Sequence, residues 1–395
     1  AARDGAKTAL LEMGSQLGGT TTTGGVDAPG LFHAWGKQVI AGIGWELVQK
    51  AVELDGGTMP DFSKIPARHS HHQVHVNGQL YAALVEEACR EAGVFLAYYQ
   101  FPQKVEPTAA GWLVDVVGKG VQDQIACQQL IDCTGGADVV GMLGMPRRRE
   151  ETTQPGTLMF RLGGYDPAKL DAAEIQRRYL QALADGELEE GDYSHAKGQF
   201  VGFLRGGGSN AQHVFGADSS TAATKTQANL AGRRSILRLL RFIRTLPGCE
   251  KARVLRMMQE TAVRETYRMA GETTITCDDY TAGRRFEDAL CYSFYPIDLH
   301  DRHGVTPKPL TQGTVATVPL RALVPQQSRN LMVAGRSVSS DRLANSALRV
   351  QASCMAMGQV AGAAASLAAR ARTTPLSVPL DQLRALLRRH AAIVP

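Results

Sequence analysis

The run Leu130-Ile131-Asp132-Cys133-Thr134-Gly135-Gly136 limits what this chain can fold into more than any other stretch. A short strand ends there and two glycines follow, where backbone can take positive φ or come close to a ligand. The residues before it supply the setting. Residues 77–92 read as a helix with Leu80, Leu84, Val85 and Ala88 on its apolar face; Asn77 can cap its start and Gly93 can close its end. Strands are expected at 94–98, 112–117 and 124–131. This order is that of an α/β nucleotide-binding domain with a β-meander inserted.

The same texture returns near the C-terminus. Leu331-Met332-Val333-Ala334 reads as a buried strand closed by Gly335. Residues 346–371 read as one helix whose Gly358, Ala361, Gly362, Ala363, Ala364 and Ala365 permit close backbone approach. A terminal amphipathic helix spans 380–390, with Leu383, Leu386 and Leu387 on one face. Another amphipathic helix is expected over 39–54, carrying Ile40, Ile43, Leu47, Val48 and Ala51.

Between about 150 and 310 the pattern changes. Thr157 to Leu162 is strand-like, and 222–245 is a long basic helix. Its arginines 233, 234, 238, 241 and 244 surround Leu230, Leu237, Leu240 and Ile243, as in a core-facing helix with a solvated basic face. A length of 395 residues suits two or three domains, or one interrupted by another. The division expected is a discontinuous domain of 1–30, 65–150 and 311–395, interrupted by a second one of 31–64 and 151–310.

Composition removes several function classes. Lysine plus arginine is 43 against 38 acids, and a net +5 is too mild for a nucleic-acid partner. The seven cysteines, at 89, 127, 133, 249, 277, 291 and 354, form no C-x-x-C. That argues against a disulfide framework, a zinc site or an iron–sulfur cluster, and fits reduced thiols in the cytoplasm. The most apolar stretch, 354–371, contains Gln359 and Ser366 and reads as a buried helix, so no membrane span is expected. No signal peptide is read. His69, His71, His72 and His75 crowd seven residues without a cysteine or an acid among them; a solvated or pocket-lining loop is expected there, and no metal.

The N-terminal segment points to a particular kind of site. Residues 1–5 read as the last turn of a helix closed by Gly5, and a short strand then runs to Glu12. A Gly/Thr-rich loop follows, from Gly18-Gly19-Thr20 to Gly25. A dinucleotide fold puts a diphosphate at a helix N-terminus and an acid on the ribose, about 20 residues past a glycine motif. Glu12 fits that acid. The expectation is that the first strand, the glycine turn and most of the first helix lie upstream of residue 1.

Four segments together carry a family resemblance. They are Leu10-Leu11-Glu12 with Leu17-Gly18-Gly19-Thr20 and 36–42; the 130–138 run; Arg264 to Glu272 leading to 283–286 and Tyr295-Pro296-Ile297-Asp298-Leu299-His300; and Asn330 to Arg336 with 346–350, 354–359 and Ala361-Gly362. In this order the chain resembles the glutathione-reductase-like, two-dinucleotide-fold flavoproteins, and within them the bacterial family called FAD-dependent oxidoreductase. It departs from that family in lacking the opening G-x-G-x-x-G and in having Gly136 where Asp is commoner.

The resemblance implies an α/β fold: a Rossmann-like FAD-binding domain with a β-meander insert, interrupted by a second α+β substrate domain. It implies FAD as cofactor. Glu12 would bind the adenosine ribose, and Gly18, Gly19 and Thr20 would line the diphosphate and ribityl chain. Val105, taken to lie just after a meander strand, would meet adenine. Thr134 and Gly135 would pass the diphosphate, and Gly335 and Arg336 the ribityl chain. A helix starting near Ser346, with Ala347, Leu348 and Arg349, would aim its N–H groups at the flavin pyrimidine edge, where a helix dipole stabilises the reduced form.

The implied activity is hydride transfer between a small organic substrate and the flavin. Such a reaction needs a proton donor or acceptor near the reacting atom. His300 is the first candidate, Asp298 could orient it, Arg264 could hold a substrate anion and His33 is a second candidate base. Interdomain hydrogen bonding is the alternative role for each. Cys133 has no partner cysteine two or three residues away, which disfavours a disulfide reductase. A monooxygenase is disfavoured by Gly335-Arg336, where that family usually has Gly-Asp. The other function class is a truncated or non-catalytic flavin-fold protein that does not hold FAD. The electron acceptor leaves no mark in the sequence.

Overall fold

The computed structural model describes residues 1–66, 68–193, 199–208, 210–302, 304–305 and 307–395. The fold is mixed α/β. Strand β1 (Ala9–Glu12) leads into the Gly/Thr loop; helices α1 (Ile43–Leu54) and α2 (Gly78–Glu91) follow. Asn77 caps α2 by accepting from the N–H groups of Gln79 and Leu80. Strand β2 (Phe95–Tyr98) then pairs in parallel with β1, Glu12 opposite Tyr98.

Strands β3 (Gln100–Thr108), β4 (Gly111–Gly118) and β5 (Val121–Cys127) form an antiparallel three-stranded sheet in sequence order. Val105 sits inside β3 opposite Val114, buried among Trp112, Val114 and Val116, and not after a strand as expected. The single strand expected over 124–131 is two. β5 ends at Cys127, and β6 (Leu130–Asp132) leaves the meander to pair in parallel with a strand from the far end of the chain. The ladder breaks at Gln128-Gln129, where the Gln129 amide turns to Asn330 and to the Thr373 carbonyl. A short helix α3 (Asp138–Met142) follows.

The second region has its own apolar core. Phe160, Leu162, Ile175, Phe200, Leu204, Leu239 and Ile243 are buried together, with Val254 packed against them. They come from strand β7 (Phe160–Gly163), helices α4 (Ala172–Ala184), α5 (Phe200–Arg205) and α6 (Ala222–Ile243), and strand β8 (Arg253–Met257), which pairs antiparallel with β7. Thr221 and Thr224 form a capping box at the start of α6. The buried face of α6 agrees with the expected one at Ile243, which is fully buried, and at Leu240, which packs on the core, and differs elsewhere. Leu230 and Leu237 are exposed, whereas Gly232, Ser235, Ile236, Leu239 and Phe242 face inward. Small residues are required there because a Cβ on Gly232 would lie 2.8 Å from Thr261 Oγ1.

Helix α7 (Cys277–Ala282) and the antiparallel strands β9 (Ala289–Ser293) and β10 (Ala316–Pro319) return the chain to the first region. Strand β11 (Leu331–Val333) is the parallel partner of β6. The helix expected over 346–371 is two: α8 (Arg342–Leu348), capped by Asp341, and α9 (Gln351–Ala371), with Val350 extended between them. Helix α10 (Leu380–Arg389) ends the fold. α9 is the one helix among the described residues long and apolar enough to cross a membrane, and 61% of that stretch is buried inside the protein.

α1 begins four residues later than expected. Gly42 has φ 91°, and Val39 and Ile40 hydrogen-bond back to the Phe32 carbonyl. That positive φ favours glycine, and a Cβ there would also crowd the Gln359 amide. Residues 31–52 join the core that includes α9 and 289–297, not the core of the second region. The parallel pairs β1–β2 and β6–β11 are joined by no ladder among the described residues.

Asp132 ends β6 almost fully buried, and its carboxylate accepts from Thr134 N and Oγ1 and from the N–H groups of Val139 and Val140. Asp132→Ala strands those buried donors and is expected to cost about 3 kcal/mol. Urea unfolding measures it; an unchanged midpoint would contradict this reading of the junction.

Candidate functional site

The carboxyl ends of the parallel strands collect the glycines. Ligands of open α/β sheets sit at such ends. The register Val333 opposite Asp132 sets Gly335-Arg336 beside Thr134-Gly135. Gly135 has φ 75°, and a Cβ on it would meet the Arg336 guanidinium at 2.8 Å, so that cation lies directly over the glycine. Among the described residues Arg336 Nε is buried without a hydrogen-bond partner, and Nη2 reaches only Ser219 Oγ, at 3.4 Å. Gly335, φ 91°, has open space where a side chain would be. An orphaned guanidinium beside open backbone suits a phosphate oxygen.

Glu12 ends β1 with Oε1 accepting from Gly14 N at 2.6 Å. The following loop is tight: Thr22 Oγ1 donates to the Leu17 carbonyl, and a Cβ on Gly18 would meet the Thr22 side chain at 2.5 Å. Gly18, Gly19 and Thr20 are exposed, and Gly19 faces open space. Gln351 Nε2 donates to the Val26 carbonyl, which ties the loop to the first turn of α9. A cavity of about 470 Å³ is lined by Gly18, Thr20 and Thr21 on one side and by Arg349, Gln351 and Cys354 on another. Ala347 and Leu348 are fully buried in α8. Because the helix breaks at Val350, the N-terminal turn belongs to Gln351–Ser353 and not to 346–349.

A second cluster assembles from five distant segments, around residues 154, 213, 264, 300 and 349. The Tyr280 hydroxyl donates to the Tyr295 carbonyl and accepts from Tyr295 N, each at 3.0 Å, so a buried side chain holds this strand end. Further along, Asp298 N donates to Ser346 Oγ and His300 N to Gln154 Oε1. Gln154 is itself fixed by the buried Glu265, which also pairs with Arg342. On this frame His300 Nε2 lies 3.2 Å from Asp298 Oδ2, and Arg349 Nη2 lies 3.5 Å from the same oxygen. His300 Nδ1 lies 3.0 Å from Nε2 of His213. Arg264 donates to the Pro155 carbonyl and to Asn210 Oδ1 and makes no ion pair among the described residues.

The electrostatics follow from burial. Arg264 is held down to about 9, first by desolvation and then by the Arg349 charge, yet it stays a cation at neutral pH. Burial works against the Asp298 charge; the His300 hydrogen bond and the cations Arg349 and Arg264 outweigh it and keep the carboxyl well below its usual range. His300 is pushed down to about 4 by desolvation and then by Arg264, against the pull of Asp298. The cluster thus contains a neutral imidazole, one carboxylate and two guanidiniums.

Arg264, Asp298, His300 and Arg349 therefore meet in one place, although Arg349 was expected at the cofactor and the others at the substrate. His33 stands apart: its ring stacks on Phe62 at 3.8 Å and meets Trp45 edge-on. The histidine-rich segment splays. His69 touches Tyr295 edge-on, and buried His72 hydrogen-bonds the Asp61 carbonyl. Among the described residues no three His, Cys, Asp or Glu gather as a metal would require. Sequence reasoning missed His213 and Gln154. Neither sits in a motif, and only the tertiary fold brings them to His300.

The family model described as FAD dependent oxidoreductase matches residues 1–387. No curated protein matches. Among solved structures, the chain is similar to the flavin-dependent halogenase CmlS at 11% identity, covering 98% of this chain and 57% of that one, TM-score 0.41. It is similar to the Diels-Alderase PyrE3 of pyrroindomycin biosynthesis at 12%, covering 99% and 66%, TM-score 0.38. The anhydrotetracycline hydroxylase OxyS from Streptomyces rimosus matches at 19% over 40% of this chain and 34% of that one, TM-score 0.29. The chain thus spans between a third and two thirds of the length of these relatives.

A histidine at about 4 in the folded chain and near 6.5 when unfolded gives a pH dependence of known sign. As pH falls below 6.5 the unfolded state takes the proton first, so stability is complete above 6.5 and declines toward 4. His300→Gln is expected to shrink the difference between urea midpoints at pH 7 and pH 5. An equal difference in both proteins would refute the depressed affinity.

Proposed function

This chain belongs to the FAD-dependent oxidoreductase family, and from that premise we propose that it moves a hydride between a small anionic substrate and FAD. Bound FAD supplies the two-electron acceptor or donor. In this reading residues 1–30, 65–150 and 311–395 form a Rossmann-like cofactor domain, and 151–310 the substrate domain. The shared core of residues 31–52 and α9 favours assigning 31–64 to the cofactor side. Glu12 holds the adenosine ribose, the loop at Gly18–Thr20 and the Thr134-Gly135 turn admit the diphosphate, and Arg336 neutralises it.

The observation that carries the substrate side is the charge of the second cluster. Arg264 is 9% exposed and makes no ion pair among the described residues, while Asp298 alone faces Arg349. Two buried guanidiniums that share one carboxylate, Arg349 within ion-pair distance and Arg264 further off, leave a positive charge that is costly to bury. A substrate carboxylate or comparable anion supplies the missing charge and is oriented by it. The Asp298–His300 pair then holds the proton that accompanies hydride transfer. A second reading, that the chain does not hold FAD, is favoured by the two parallel strand pairs that no ladder among the described residues joins.

A flavin fluorescence titration of the purified chain separates the two. Saturable quenching supports the hydride reading, and Arg336→Gln is then expected to weaken FAD binding about 10- to 100-fold, as loss of a charge-assisted hydrogen bond does. No saturable binding would leave the second reading standing. With FAD bound, anaerobic bleaching by small carboxylates should be lost in Arg264→Met; bleaching only by uncharged compounds would overturn the anionic substrate.

A further inference from the structure

Tyr295 is 7% exposed, and two side chains from the histidine-rich segment rest on it. Gln73 Nε2 donates to its hydroxyl at 3.2 Å, and the His69 ring meets its ring edge-on with centroids 5.1 Å apart. A phenol oxygen accepts while its O–H donates. Gln73 takes the accepting side, and the Tyr295 proton has no acceptor among the described residues. Burial pushes this phenol above its ordinary range; Asp298 adds to the rise, and Arg349 and Arg264 oppose it. The hydroxyl therefore keeps its proton at neutral pH, within electrostatic reach of both guanidiniums. Their donors are also unmet. Arg264 uses Nη1 on the Pro155 carbonyl and Nη2 on Asn210, and its Nε–H bonds nothing among the described residues. Arg349 Nε is buried without a partner among the described residues. Asp298 is already engaged, its Oδ2 lying 3.2 Å from His300 Nε2 and 3.5 Å from Arg349 Nη2. The Asp298 and His300 side chains are 13% and 12% exposed, so the cluster is not sealed from solvent.

We infer that Tyr295 is a substrate-binding residue: its hydroxyl donates to one oxygen of a carboxylate whose other oxygen Arg264 holds. The inference rests on the anionic-substrate reading above and narrows it to one chemical class. A phenol and a guanidinium are one neutral and one charged donor, which matches the two oxygens and single charge of a carboxylate. A phosphate ester brings up to one more negative charge and a third oxygen, and sets that excess charge beside Asp298. The same carboxylate supplies acceptors for donors that are otherwise costly to leave unpaired. Gln73 contributes by occupying the phenol oxygen, which turns the O–H away from the histidine-rich segment. That segment thus serves the site through Gln73 and Tyr295, and its histidines need not touch the substrate.

The test is calorimetric titration of the full chain, with and without FAD, using acetate, pyruvate and benzoate as probes and benzamide as the uncharged control. At least one carboxylate is expected to bind saturably, and benzamide not to bind. Tyr295→Phe, which removes only the hydroxyl, is expected to weaken that binding about 10-fold, as loss of a hydrogen bond to a charged group does. A chain carrying fluorotyrosine at position 295 gives a direct readout, because its fluorine resonance should move with carboxylate saturation and stay still with benzamide. That chain keeps the hydroxyl, so it decides the matter should the phenylalanine variant fail to fold. Equal affinity in Tyr295→Phe, a fluorine resonance that stays still at saturation, or no binding by any of the three carboxylates would overturn the inference. Failure here with intact FAD binding and bleaching by carboxylates would remove Tyr295 and leave the hydride reading; carboxylate binding through Tyr295 with no FAD binding would do the reverse.

Discussion

Three residue pairs join the first glycine turn to the C-terminal part of the chain. Leu130, Ile131 and Asp132 lie beside Leu331, Met332 and Val333 in a parallel ladder. Closing so long a loop costs conformational entropy before any contact repays it. The ladder is reinforced from both sides: Trp112 Nε1 donates to the Asn330 carbonyl, and Leu331 and Val333 are buried against Val139 and Val140. Slipping the register by one residue would turn Asp132 away from the N–H groups it caps and carry Arg336 away from Gly135. The local chemistry at both glycine turns is thus a consequence of one short sheet.

The second cluster depends on a different balance. Two guanidiniums, one carboxylate and a neutral imidazole share a poorly solvated space. Removing charges from water is expensive, and each is kept here by specific hydrogen bonds. Tyr280, Ser346 and Gln154 anchor the 295–300 segment through its backbone, leaving the Asp298 and His300 side chains free to face each other. Glu265 stabilises the arrangement at one remove by fixing Gln154 and pairing with Arg342.

Much of this was legible in the chain itself. Asn77 before an apolar 3.6-residue pattern gave α2, and the glycines after Asp132 and Ala334 marked the strand ends, because caps and positive-φ turns are local chemistry. Boundaries failed where tertiary contacts decide them. α1 starts late because Gly42 must clear Gln359, more than 300 residues away, and 346–371 splits because Arg349 turns to Asp298. The face of α6 was misread at Leu230 and Leu237 because leucines outrank glycine in any hydrophobic pattern, yet Gly232 is what permits contact. For the site, Asp298 and His300 stand two residues apart and could be paired on paper. His213 lies 87 positions away and could not.

Gln359 has a mechanical consequence. One amide accepts from the N–H of Ile43 and donates to the carbonyl of His390. It thereby fastens the start of α1 and the end of α10 to the middle of α9. Three helices from opposite ends of the chain, already packed in one apolar core, thus meet at a single polar side chain. Removing that amide would leave a backbone donor at the start of one helix and an acceptor at the end of another without their partner at the same time.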